Sequence, residues 1–169
     1  MAEHRDRSHE DEATMVRRGE IPERVRNLVF LGVNESGIFS FQQAEARLQK
    51  FSGSGELLWE KDFIDLPALK GVYEEYLQEA KTQERFIPQL SYARGIHVYE
   101  EGAAILLQTA EQNPVTVLWV SNSGEDIRLI EYPEVEKSFL LRFRIAPDRQ
   151  TILFVDSMEP TIYRAEYPV

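Results

Sequence analysis

Arg47-Leu-Gln-Lys-Phe-Ser-Gly-Ser-Gly-Glu-Leu-Leu-Trp-Glu60 decides the fold. Its first five residues are read with period two, as a strand with one face buried. Ser52-Gly-Ser-Gly55 is a tight glycine turn of the kind that joins hairpin strands. Leu57 to Phe63 then forms the returning strand. Working back, Ile38-Phe-Ser-Phe41 and Leu28-Val-Phe-Leu-Gly-Val33 are two more short β-rich runs, separated by the turn Asn34-Glu-Ser-Gly37. Gln42 to Ala46 is a polar connection. The reading is a four-stranded antiparallel meander.

The same organisation recurs downstream. Phe51-Ser-Gly-Ser-Gly-Glu56 matches Val120-Ser-Asn-Ser-Gly-Glu125. Ile38, Ile105 and Ile152 open matching second strands, and Leu48, Val117 and Ile162 open matching third strands. First strands are read at Leu28–Val33, Ile96–Tyr99 and Phe139–Ile145, and a fourth strand of the second unit at Ile127–Glu131. Repetition of four short strands at about 40 to 50 residues is the signature of stacked blades, each unable to bury both faces alone. The third copy ends after its third strand.

Between the first two units the pattern changes to a helical one. Leu69, Val72, Tyr73, Tyr76, Leu77 and Ala80 share one face, with Glu74, Glu75, Gln78 and Glu79 opposite. Asp65 is a candidate cap, Pro67 lies in the first turn, and Pro88 lies just beyond the end. This predicts one amphipathic helix over about residues 65–84, inserted in a segment spanning 21–169. Residues 1–20 read as a charged flexible tail, with Thr14–Arg18 as a short strand.

Composition bounds the function. Twenty-nine acidic against nineteen basic residues give a net charge of −10, which argues against nucleic-acid binding. The absence of cysteine excludes disulfides, thiolate metal sites and thiol nucleophiles. No stretch has the length and apolarity of a membrane span, and the N-terminal residues carry no apolar signal region, so compartment stays open. His4 and His9 fall in the tail.

The segment Ser52-Gly-Ser-Gly-Glu-Leu-Leu-Trp-Glu60, the helix after it, Phe86-Ile-Pro-Gln-Leu90 and the Ile145-Ala-Pro-Asp148 turn resemble bacterial six-bladed β-propeller proteins of the NHL-like kind. Gly55-Glu-Leu-Leu-Trp59 also resembles the quinoprotein-type repeat. The resemblance covers about residues 26 to 169. It implies an all-β fold of propeller blades with one inserted helix, in proteins usually exported, and supplies no catalytic motif to carry over. Three blades are half a ring, so it also implies self-association or another chain that completes the propeller, or a truncated piece of a longer propeller gene. In the first case the Thr14–Arg18 segment is a candidate outer strand for a partner's last blade.

No nucleophile elbow, P-loop or dinucleotide-binding glycine motif occurs. No cofactor is expected. The candidate ligand-binding residues are His97, Arg142, Arg144 and Asn34, on or beside the first strands of the units. Arg142 and Arg144 share a strand face and would favour an anion if it lines a channel. Two function classes follow: a non-enzymatic binding or scaffold module, and a propeller enzyme, either a lactonase-like metal-dependent hydrolase or a lyase. A cluster of three inward-facing acids or a bound divalent cation would favour the latter, and the first-strand candidates Asn27, Asn34, His97, Arg142 and Arg144 are a mixed set with too few acids. The pattern Asn34-Glu-Ser36 also fits a glycosylation acceptor.

Overall fold

The computed structural model describes residues 14, 15, 18, 20, 28–82, 89–137, 141–156 and 160–167. The fold is all-β with one inserted helix. Three antiparallel sheets follow one another along the chain. Sheet 1 is β1 (Val29–Asn34), β2 (Gly37–Gln42), β3 (Arg47–Phe51) and β4 (Leu57–Asp62), in that spatial order. Sheet 2 is β5 (Ala93–Tyr99), β6 (Gly102–Leu107), β7 (Val115–Ser121) and β8 (Ile127–Tyr132), again in chain order. Sheet 3 holds β9 (Leu141–Ile145), β10 (Thr151–Asp156) and β11 (Thr161–Glu166). Between sheets, the first strands run closest, β1 along β5 and β5 along β9.

The sheets stack face to face through two apolar layers. Phe39, Phe41 and Leu48 of sheet 1 meet Ile105, Leu107 and Leu118 of sheet 2. The opposite face of sheet 2, with Leu106, Val117 and Trp119, meets Phe143, Ile152 and Phe154 of sheet 3. Sheet 2 is therefore buried on both faces, which is why β6 and β7 read as nearly continuous apolar runs. Among the described residues, no element covers the outer faces of sheets 1 and 3. Leu31 and Val33 on one, and Ile162 on the other, are each about two-thirds exposed.

The strand pairings superpose residue for residue. Across sheet 1 the row Gly32, Phe39, Lys50, Trp59 lies side by side, and in sheet 2 its counterpart is His97, Ala104, Trp119, Arg128. In sheet 3 it is Arg144, Leu153, Arg164. This register pairs Leu48, Val117 and Ile162, as the repeat predicts. It corrects one alignment: the counterpart of Ile38 is Ala103, not Ile105, because β6 begins at Gly102 as β2 begins at Gly37.

A clasp joins consecutive sheets and recurs in kind. Asn34, which ends β1, donates from Nδ2 to Asn122 Oδ1 at 3.1 Å and to the Tyr99 carbonyl at 2.6 Å. At the next junction Tyr99, which ends β5, meets Tyr167 hydroxyl to hydroxyl at 2.9 Å. Burial pushes the Tyr99 phenol up to about 12, so this pair stays protonated through the neutral range. The turn after β7 is gripped further: Lys50 Nζ and Trp59 Nε1 both donate to the Asn122 carbonyl, at 2.8 and 3.1 Å.

The inserted helix starts later than the apolar pattern suggests. Pro67–Leu69 is a single 3-10 turn entered from Leu66 without a side-chain cap, so Asp65 is not the helix cap. Gly71 at φ +94° breaks the run, and α1 is Val72–Thr82. Val72 and Tyr76 are its buried residues. The remainder of the expected 65–84 span, with Pro88, lies outside the described residues, as do His4, His9, Asn27, Phe86 and Phe139. Thr14 and Met15 form a helical turn closed by Arg18 N–H to the Thr14 carbonyl, which corrects the strand expected there.

Candidate functional site

The first strands of all three sheets begin at the same end of the stack, and α1 lies over that end. Between them is a cavity of about 530 Å³. Phe30, Arg94 and Arg142 enter it from the starts of β1, β5 and β9, and Glu75, Tyr76 and Glu79 from α1. Gln43 and Gln108, which follow β2 and β6, close it from the adjacent connections.

A buried polar frame fixes this end. Gln43 is almost fully buried, and its Oε1 accepts from Gln89 Nε2 at 3.0 Å and from the Ser91 hydroxyl at 2.9 Å. Its carbonyl accepts the Tyr92 N–H at 2.8 Å, and the Tyr92 carbonyl in turn accepts the Gln108 N–H at 3.0 Å. Glu75 Oε1 accepts the Glu111 N–H at 3.0 Å, which ties α1 to the connection after β6. This bond secures the helix over the cavity with a partner outside the helix itself.

Arg94 is the distinctive residue. It sits at a β-bulge: Ala93 pairs with Leu107 and Gly95 with Leu106, so the register shifts across Arg94. Bulges re-aim side chains and are common beside functional sites. Arg94 Nε donates to Gln108 Oε1. Burial holds its guanidinium below the ordinary arginine range, and the nearby charge of Arg142 adds to the effect. Lys137, whose ammonium bonds the Ala110 carbonyl, is likewise lowered by burial and by Arg94. Arg94 and Arg142 are thus the two cations that line the cavity, with Lys137 close behind Arg94. Arginine pairs of this kind suit a carboxylate or similar anion, which each can grip with two parallel N–H groups. Of the other walls, Phe30, Val72, Tyr76 and Leu90 are apolar or aromatic, Gln43, Gln89 and Ser91 are polar, and Glu75 and Glu79 on α1 are acidic.

Of the four residues singled out from sequence, Arg142 reaches this cavity. Arg144 is exposed on the uncovered face of sheet 3. Asn34 sits in the clasp between sheets 1 and 2. His97 lies between sheets 2 and 3, where its Nδ1 accepts the Ile145 N–H at 3.0 Å and its ring packs edge-on against Phe143. Burial, then Arg144, lowers its pKa from the ordinary 6.5. The unfolded chain therefore takes up this proton first as pH falls, and stability is lost through the window below 6.5. We predict that between about pH 7.5 and pH 5 the wild-type melting temperature falls more steeply than that of His97→Gln. Parallel profiles would refute the assignment.

Arg94 and Gln108 are the residues that sequence reading missed. The signal was present: Ala93-Arg-Gly95 interrupts the alternation just ahead of Ile96, and a glycine at such a break marks a bulge. A second cleft, about 720 Å³, runs along the free edge of β11 beside Arg128. It lies open along this edge strand instead of being closed by three elements.

Among the described residues no three His, Cys, Asp or Glu side chains converge to hold a metal ion, and no helix is long and apolar enough to cross a membrane. No protein-family model matches the chain, and no curated protein matches it in sequence.

Proposed function

We propose that this chain is a binding module of stacked propeller-like blades, and that the cavity under α1 takes a small ligand with one carboxylate and an apolar body. The observation that carries this reading is the convergence of Arg94 and Arg142 on one cavity that also has an apolar wall of Phe30, Val72, Tyr76 and Leu90. Two like charges held close, one of them partly desolvated, are relieved by an anion placed between them. The apolar walls would hold the remainder of the ligand. The blade reading is supported by the meander order, the adjacent first strands and the repeated register. The ends of a blade stack, where the connections cluster, are natural places for a binding site.

Calorimetric titration with hexanoate, benzoate and phenylacetate, each against the matching alcohol, tests the proposal. The carboxylates should bind and the alcohols should not. Arg94→Gln and Arg142→Gln should each weaken binding about tenfold or more, since a hydrogen bond to a charged group contributes about 1.5–3 kcal/mol. Equal affinity for acid and alcohol, or unchanged affinity in both variants, would overturn it.

A further inference from the structure

Two turns in this chain are twins, and only one is occupied. After β3, Gly55 N–H bonds the Ser52 carbonyl at 3.0 Å, the Ser52 and Ser54 hydroxyls meet at 2.8 Å, and Gly55 has φ +87°. After β7, Gly124 N–H bonds the Ser121 carbonyl at 3.0 Å, the Ser121 and Ser123 hydroxyls meet at 3.1 Å, and Gly124 has φ +76°. The second turn is clasped by sheet 1, through Lys50, Trp59 and Asn34 on Asn122, with the Trp59 ring against Gly124. The first turn is bare. Neither Gly53 nor Gly55 has any neighbour that an added Cβ would meet within 4 Å.

Sheet 3 has the opposite deficiency. Register places Arg164 in the position of Lys50, and Ala146, the residue after β9, in the position of Asn34. Both face outward on a sheet on which no described element is stacked. The two uncovered faces also differ in charge. The face of sheet 3 carries Arg144 and Arg164 with one acid, Glu166. The uncovered face of sheet 1 carries Glu60 and Asp62 with one arginine, Arg47, already paired to Asp62 at 2.6 Å.

We infer that a second copy of this chain stacks sheet 1 on sheet 3, with the Ser52–Gly55 turn of one copy received by Arg164 and Ala146 of the other. The contact continues the register already used twice within the chain. Arg164 donates to the Gly53 carbonyl of the second copy as Lys50 donates to that of Asn122. A two-fold axis generates the contact twice, so the assembly closes as a dimer and does not extend into a filament. Both exposed apolar rows, Leu31 and Val33 on sheet 1 and Val155 and Ile162 on sheet 3, are covered at once.

Light scattering on the purified chain should give twice 19.6 kDa. Arg164→Glu should raise the dissociation constant at least about tenfold, and Arg164→Lys should restore it. The chain has no cysteine, so a Gly53→Cys, Ala146→Cys double variant can be cross-linked without background. Those positions lie on opposite outer sheets of one chain, and a short bis-maleimide should join them between chains, with neither single variant joining as readily. A single-chain mass for folded protein at tens of micromolar overturns the inference. So does a dimer or aggregate that lacks the Gly53–Ala146 cross-link.

Discussion

Gly37→Ala and Gly102→Ala should each destabilise the chain by about 3 kcal/mol or more, with Gly37→Ala the worse of the two. The two glycines open β2 and β6 and occupy the same place in successive sheets. A Cβ on Gly102 would stand 2.1 Å from the Val120 carbonyl oxygen, and one on Gly37 would stand 2.1 Å from that of Phe51. Those oxygens belong to the neighbouring strand's backbone, so relief requires moving the strand and not rotating a side chain. Gly37 adds φ +139°, a conformation that L-residues rarely adopt. Urea unfolding should show a lower midpoint at an unchanged slope. Gly53→Ala, in open space, should stay within about 0.5 kcal/mol of wild type. Equal stability for all three variants would mean that the strand spacing at these positions relaxes freely, contrary to the tight ladder described above. Sheet 3 carries Thr151 at this place, where Asp148 accepts its N–H and its hydroxyl.

The contrast shows which features a sequence displays. Period-two alternation and Ser-Gly turns are local, and they placed the described strands within a few residues of their ends. The third-strand alignment of Leu48, Val117 and Ile162 was legible because the turns that follow β3 and β7 are near copies. The second-strand alignment slipped by two because β2 and β6 share no side-chain pattern, only the opening glycine. The helix start was misjudged for a related reason: the apolar spacing runs unbroken from Leu69, and the break lies in the φ of Gly71. The candidate site was legible in part. Arg142 was visible as an alternating arginine, but its meeting with Arg94 depends on a bulge and on three first strands starting at one level. His97 and Asn34 drew notice as polar residues near first strands, and the structure engages both in contacts between sheets. Their chemistry was readable, but their partners, 48 and 88 residues away, were not.

Phe39→Ala should cost about 3–5 kcal/mol, the range for removing a fully buried aromatic ring. Phe39 has no exposed surface. Its ring meets Trp59 edge-on at 5.9 Å, and Lys50 Nζ lies 5.2 Å from its centre. Lys50 is itself buried, its ammonium disfavoured by desolvation, and it holds the Asn122 carbonyl. Deleting the ring therefore removes packing and also a favourable neighbour of a buried charge, so the loss extends to the clasp between sheets 1 and 2. Phe39→Leu keeps most of the volume and should cost less. In a double-mutant cycle, Phe39→Ala and Trp59→Ala should couple by about 0.5–1.5 kcal/mol. In the matching row of sheet 2, Ala104 stands between His97 and Trp119, on the face that meets sheet 3. Ala104 has no exposed surface, and Ala104→Phe should be destabilising by overpacking instead of by a void. If Phe39→Ala cost under about 1 kcal/mol, the layer between sheets 1 and 2 would have collapsed around the missing ring, and the packing of that ring would not be what holds the two sheets together.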